Sequence, residues 1–536
     1  MQEVDELYRP GSRELVLRAP GHGDYGTPFG GTPMVAPLLL AAVLSATPGE
    51  KVWSAYQSTW AVRMTPLLSE VLRFPTVAGD AAAFEAQRAW LHRVGGQLDF
   101  VVRDTPTVIE IELPGPPGAP VLGLVVHGDV QPVNPAEWPV PPFSGTVKDG
   151  AVWGRGAADD KGPLVQALLA MASLRSSGLH RTHTVRLLVG TDEESGASDV
   201  DTYQKTHAAP DYTLVLDSDF PVVVGEKAWS EYTVSAQEHA SRTGPVEVVD
   251  LTAGQATSIV PDRAALTLRW RTGTPQWDTW LAPVRAARLP EGTTLEVTGT
   301  GAERTLVAHG RAAHAGTSLA AGRNALVALA AAVDGRLPAS AAADLLAYAR
   351  QAGQDAQGTG LGLTERDLLW GTADVNVAQV KRKPQGLLTL VINVRALPQV
   401  WGEALRQRLD AQALAFAERR GGRFETGGQF GFPPFQVASE SPLVRRLLEG
   451  YARATGQRRG PVVSAGGTYA QRLPNAVAFG MWFREDGPYP GHGSKEMVPL
   501  AALERGVHVL TEALADIATG ARIEQPLRRI AIAQHK

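Results

Sequence analysis

Cysteine is absent from the 536 residues. That excludes disulfides, thiolate metal ligands and a cysteine nucleophile. Any metal would have to be held by His, Asp and Glu. Excess charge of one sign is lacking too: 51 Lys and Arg against 55 Asp and Glu leave a formal net charge of −4. That balance gives no reason to expect a nucleic-acid or membrane partner. Long apolar runs are also missing, since no stretch reaches the ~20 apolar residues of an ordinary membrane-spanning helix. The nearest is "MVAPLLLAAVLSA", residues 34–46. It has two readings. One is a short buried helix within a loosely ordered N-terminal extension, in a cytoplasmic protein. The other starts translation at Met34 and makes the run a signal-peptide core that exports the protein. No basic stretch directly precedes it, and both readings stand open.

What is present looks like a soluble enzyme. Hydrophobic residues make up 44% and charged residues 20%, an ordinary balance, and the length predicts more than one compact domain. Helical spacing appears at 56–75 and 80–95, then strand-like runs at 99–103, 107–112 and 121–126. "GTVKDGAVWGRG" (145–156) reads as a hairpin turning at Asp149-Gly150. Residues 161–178 read as a helix with Pro163 in its first turn and Gly178 at its end. Short β-runs follow at 184–190 and 212–217, with a helix between them. This alternation predicts an α/β sheet with covering helices. From about 229 the texture changes: strands and loops over 230–310, a helix at 318–335, a strand at 386–396 and a helix at 400–419. The α/β texture returns after about 432, with a helix at 441–455, a strand at 476–483 and a helix at 499–519. The expected layout is an extension (1–50), a catalytic domain in two parts (51–228 and 433–520), an inserted α+β domain (229–432) and a tail (521–536).

Chemistry-bearing residues collect where β-runs end. "VVHGDVQPVN" (125–134) places His127 and Asp129 two apart, on one face if the strand continues. A metal-bound imidazole usually gives its second N–H to a nearby acceptor, although an H-x-D pair is common in plain loops. "GRGAADDKG" (154–162) sets Asp159 and Asp160 before a helix, where helix capping competes with metal bridging. "GTDEESG" (190–196) carries Glu193 and Glu194, and "LDSDFP" (216–221) carries Asp217. Adjacent acids at strand ends are costly without a positive charge nearby. "PYPGHGSKE" (488–496) adds His492 in a Gly-rich loop. Two His and three carboxylates suit a dinuclear site for hard or borderline cations, and paired metals suit hydrolysis of a carbonyl compound.

The order and spacing of these five motifs resemble the dinuclear zinc amidohydrolases of metallopeptidase family 20. That family includes aminoacylases, succinyl-diaminopimelate desuccinylase, acetylornithine deacetylase, carboxypeptidase G and carnosinase-like dipeptidases. The resemblance spans roughly 55–520. With "DSDFPVVVGEKA" (217–228), "GGTYAQRLPNAVAFG" (466–480) and the long insert, it is strongest to the PepV-type dipeptidases. It implies a zinc-aminopeptidase-like α/β catalytic domain plus an inserted lid. An enlarged lid of that type lets a monomer complete its own site.

The resemblance assigns roles position by position. His127, Asp159 and Asp217 would hold one zinc. Asp159, Glu194 and His492 would hold the other, with Co²⁺ or Mn²⁺ as substitutes. Asp159 would bridge, with a cis peptide bond following it. Asp129 would orient His127, and Glu193 would act as general base. "GRAAHAGTSLAAGRNA" (310–325) matches the lid motif whose histidine, here His314, stabilises the oxyanion. "VINVRALP" (391–398) puts Arg395 where such dipeptidases grip the substrate's free carboxylate. Gly467 falls in the substrate-binding loop. In "GQATSIVPD" (254–262), Ser258 stands where relatives commonly carry Asn, which puts inherited specificity in doubt. Gly493, just after His492, is expected to make that loop flexible. The expected activity is hydrolysis of dipeptides or short peptides with a free C-terminal carboxylate. The rivals are a carboxypeptidase or N-acyl-amino-acid amidohydrolase, and a non-catalytic homologue. A nucleotide loop at 154–160 is discounted because it lacks the third glycine. A metallophosphatase would have no use for Arg395.

Overall fold

The computed structural model describes residues 46–238, 244–383 and 386–532. Both readings of the N-terminal apolar run concern residues that lie, except Ala46, outside this set. The first described helix, Pro48–Ala55, opens with a reciprocal cap: Thr47 accepts from the Glu50 N–H while the Glu50 carboxylate accepts from the Thr47 N–H.

Val121–His127 is apolar up to its last residue and buried along almost its whole length, as a strand covered on both faces must be. Val108–Leu113 is buried too but alternates apolar residues with Glu110 and Glu112, which pair with Arg103 and Arg186. Both strands lie in a nine-stranded mixed sheet. Its order is Val101–Asp104, Val108–Leu113, Thr184–Gly190, Val121–His127, Tyr212–Val215, Ala476–Ala478, Val223–Glu226, Phe435–Gln436, with Val462–Ser464 also pairing on Val223–Glu226. Val121–His127 runs parallel to both Thr184–Gly190 and Tyr212–Val215. The ends of these three strands therefore open onto one edge, the usual place for a site in such a sheet. The helix Lys161–Ser176 is buried on all sides from Lys161 to Leu174 and packs against Leu500–Thr519.

The inserted segment forms a separate, wholly antiparallel sheet of eight strands. Its order is Thr294–Thr298, Glu303–His309, Arg263–Trp270, Val246–Ala253, Asp374–Lys383, Leu387–Ala396, Ala228–Gln237, Glu425–Phe432. The apolar cores divide accordingly. One takes its residues from Val52 to Val224 and from Phe435 to Ile523, the other from Ala228 to Phe424. The fold is an α/β domain, the expected catalytic domain, with an inserted α+β domain, the expected lid.

Several local expectations differ from the structure. The helix expected at 318–335 is only Ala325–Ala332, because Asn324 caps it and the chain before it forms the loop carrying His314. The stretch read as strands and loops contains a helix, Trp277–Arg285, and a further helix, Ala341–Ala352, was not read at all. The strand expected at 476–483 is split into Ala476–Ala478 and Met481–Trp482 at Gly480, where a Cβ would sit 2.3 Å from the Phe220 ring. The chain after 520 folds back: the Ile530 N–H donates to Gln436 and the Leu443 N–H to Pro526. No helix of the described residues is long and apolar enough to cross a membrane.

Candidate metal centre and substrate cleft

His127 is the last residue of its strand, so Asp129 lies beyond the pleat rather than on a shared strand face. Its contact with the imidazole differs accordingly: His127 Nδ1 is 3.0 Å from the Asp129 main-chain carbonyl and 3.5 Å from its carboxylate. With Nδ1–H donating there, Nε2 is turned toward the carboxylates on its other side. The Asp129 carboxylate instead accepts from the N–H groups of Glu193 (3.3 Å) and Glu194 (3.0 Å). One aspartate orients both the histidine and the tandem glutamates.

Asp160 is the N-cap residue of Lys161–Ser176, yet neither aspartate side chain caps the helix. The bond between Asp159 and Asp160 is cis. Asp159 Oδ1 lies 3.0 Å from His127 Nε2, and its Oδ2 lies 3.1 Å from His492 Nε2. Its two oxygens thus face two different imidazoles. Glu194 is 3.0 Å from His492 Nε2, and Asp217 is 3.7 Å from His127 Nε2. Two groups of possible ligands result: Asp159, Glu194 and His492, and His127, Asp160 and Asp217, each offering atoms within 4.8 Å of one another. Asp160 is the member to which the resemblance gave no ligand role, and it stands in this group where Asp159 was expected. Its Oδ2 accepts from the His127 N–H, while its Oδ1 is buried without a hydrogen-bond partner.

The donor set fits cations. Burial pushes the carboxyls of Asp160, Asp217 and Glu193 well above the usual carboxylate range, and neighbouring acids push them further. Burial would lower the pKa of His127, but Asp129 and Asp159 outweigh it and raise it well above normal. So many buried acids around two imidazoles, with an orphaned oxygen among them, form a site short of positive charge.

His492 adopts φ 62°, a left-handed conformation rare outside glycine. The unusual conformation is thus at the histidine itself, and Gly493 has no positive φ. Gly491 is required by closeness: a Cβ there would stand 2.7 Å from Asp159 Oδ2. His492 Nδ1 is 3.3 Å from the Ser258 carbonyl, so Ser258 supports the histidine through its backbone. The Ser258 hydroxyl accepts from Gln131, whose amide also donates to Glu194 at 2.9 Å. Glu496, four residues after His492, accepts from Arg155 (2.7 Å) and from the N–H groups of Gly156, Ala158 and Asp159. Gln131 and Glu496 lay inside quoted motifs, but nothing local in sequence marked their partners.

The lid adds two groups. His314 Nδ1 accepts from the N–H groups of Gly316 (3.0 Å) and Thr317 (2.9 Å), so its proton sits on Nε2. Burial and the nearby His492 hold its pKa well below normal, and the two rings lie 4.3 Å apart. Arg395 is 4% exposed, and its Nε donates to Asn393 at 3.0 Å. Burial lowers its pKa to about 10, which leaves it cationic at neutral pH. Glu193, Glu194, Ser258, His314, Arg395, Gly467 and His492 all line one cavity of about 430 Å³.

The sequence profile described as Peptidase family M20/M25/M40 matches residues 123–516. The chain belongs to this peptidase family. It is a peptidase hydrolysing peptide bonds. Among its relatives is the beta-Ala-Xaa dipeptidase of Lactobacillus delbrueckii subsp. lactis, 26% identical over 401 residues, covering 74% of this chain and 82% of the relative. Two solved structures share the fold of the peptidase. Human carnosine dipeptidase 1 has TM-score 0.57 and 13% identity, covering 88% of this chain and 98% of that chain. The dipeptidase Dug1p of Saccharomyces cerevisiae has TM-score 0.57 and 13% identity, covering 87% and 98%.

Proposed function

We propose that this peptidase is a zinc-dependent dipeptidase acting on dipeptides or short peptides with a free C-terminal carboxylate, with the site completed within one chain. The observation that carries the reading is the position of Asp159, whose two oxygens face His127 and His492. That is the disposition of a carboxylate shared by two cations. His127, Asp159 and Asp217, with Asp160 at hand, would hold one zinc, and Asp159, Glu194 and His492 the other. Bound there, the pair would polarise the scissile carbonyl and acidify a water molecule.

The chain's own groups supply the rest. Glu193 lines the cavity without belonging to either ligand group, so its carboxylate is left to take the proton of the attacking water and return it to the leaving nitrogen. His314 presents Nε2–H to the oxygen that becomes negative in the tetrahedral intermediate. The guanidinium of Arg395, bonded by Nε to Asn393, keeps its outer nitrogens for a substrate carboxylate. Gly467 and Ser258 line the same cleft. The relative's name, a beta-Ala-Xaa dipeptidase, supports a small peptide as substrate.

The test is a panel of free dipeptides offered to zinc-loaded protein, with the C-amidated and N-acetylated forms of the best one. Free dipeptides should be cleaved, and amidation should abolish cleavage. Turnover of the N-acetyl form alone would replace the reading with an N-acyl-amino-acid hydrolase, and turnover of the amide would remove the role of Arg395.

A further inference from the structure

Glu231 stands beside Arg395 on the lid sheet. In antiparallel strands, directly opposed residues project to the same face. Trp229 opposes Arg395, Glu231 opposes Asn393, and on the other neighbouring strand Glu231 opposes Gln429. The opposite face carries Tyr232, Val234, Ile392 and Val394 into the lid core. Glu231, Trp229 and Arg395 therefore share the face that lines the 430 Å³ cavity. Glu231 and Arg395 are diagonal neighbours, about 7–8 Å apart at Cα.

Glu231 is half-buried, and its carboxylate takes no hydrogen bond or ion pair from any described residue. Of the cationic residues lining the cavity, Arg472 is paired with Asp201 at 3.1 Å, and Arg395 is bonded through Nε to the neutral Asn393 amide. An unpaired carboxylate in a half-buried cleft lacks the partner that burial calls for. If Arg395 grips the C-terminal carboxylate, the side chain of the leaving amino acid lies in this cavity, next to Trp229 and Glu231.

We propose that Glu231 is a specificity-determining residue that selects a cationic side chain, lysine or arginine, on the C-terminal amino acid released by the reaction. The aliphatic stem of that side chain would lie along Trp229 and its charge would meet Glu231. The proposal rests on the dipeptidase reading for the placement of the carboxylate at Arg395.

The experiment compares kcat/KM of the zinc-loaded full chain for Ala-Lys, Ala-norleucine and Ala-Glu, in the wild type, Glu231→Gln and Glu231→Lys. Norleucine keeps the stem of lysine without its ammonium. Ala-Lys should exceed Ala-norleucine by about tenfold in the wild type, as one charge-assisted contact supplies. The ratio should fall to near one in Glu231→Gln, and Glu231→Lys should favour Ala-Glu instead. A wild-type ratio near one, or a lysine preference that survives in Glu231→Gln, overturns the proposal. Calorimetric binding of free lysine against free norleucine separates this from failure of the dipeptidase reading. If no dipeptide is cleaved, tighter binding of lysine that is lost in Glu231→Gln still supports the role of Glu231. Equal binding removes it.

Discussion

A carboxyl group shut away from water keeps its proton to higher pH than an exposed one. Glu226 is such a group: fully buried, it accepts from the N–H and hydroxyl of Thr468 and thereby fixes the loop that carries Gly467. Burial pushes its pKa up to about 7, against the opposing pull of Thr468, Arg395 and Arg529. The folded state therefore holds a proton that the unfolded chain has already released between pH 4.5 and 7. This contribution to stability is complete below that window, falls as the pH rises through it, and is level above. Glu226→Gln should remove the slope, so its unfolding free energy should gain on that of the wild type across that window. Urea unfolding at a series of pH values measures this, and parallel curves would count against it. At this scale, the legible residues were those whose chemistry is written in their own type and spacing, such as His127, Asp159 and Glu194. Gln131 and Asp160 were not legible as participants, because an amide or a second aspartate takes on meaning only from partners that folding brings to it.

At the scale of elements, the turn Gly154–Asp160 is shaped from outside. Its backbone N–H groups converge on Glu496, more than 330 residues away in sequence. Arg155 closes the arrangement with a fully buried ion pair. Removing one member of such a pair strands the other charge, which costs about 3–5 kcal/mol. Glu496→Ala should lower the unfolding free energy by about that amount and weaken metal binding, because Asp159 belongs to the same turn. Urea unfolding of the metal-free protein and a zinc titration test both effects, and a stability change below about 1 kcal/mol would contradict the first. The hairpin around Asp149-Gly150 and the helix after Asp160 were legible because turn chemistry and apolar spacing are local signals. The shortened helix Ala325–Ala332 was misread because the alanine-rich stretch continues apolar spacing past the point where Asn324 ends the loop.

At the scale of the molecule, two sheets share one cleft. The catalytic domain supplies His127, Asp159, Glu193, Glu194, Asp217 and His492, and the lid supplies Ser258, His314 and Arg395. The alternation of strands and helices gave away the first sheet in outline. The antiparallel lid sheet was harder to read, since its neighbouring strands Val246–Ala253 and Asp374–Lys383 pair across more than a hundred residues, and no local pattern encodes that pairing. His314 lies 4.3 Å from His492 of the same chain, so one chain should be sufficient for catalysis. The most direct test measures metal content and dipeptide turnover for Glu193→Gln and His314→Gln, each alone and then mixed. Each variant should keep the metal content of the wild type and lose about 10²-fold or more in kcat, and the mixture should be no more active than its parts. Wild-type turnover in Glu193→Gln, or activity regained on mixing, would contradict a single-chain site with Glu193 as its base.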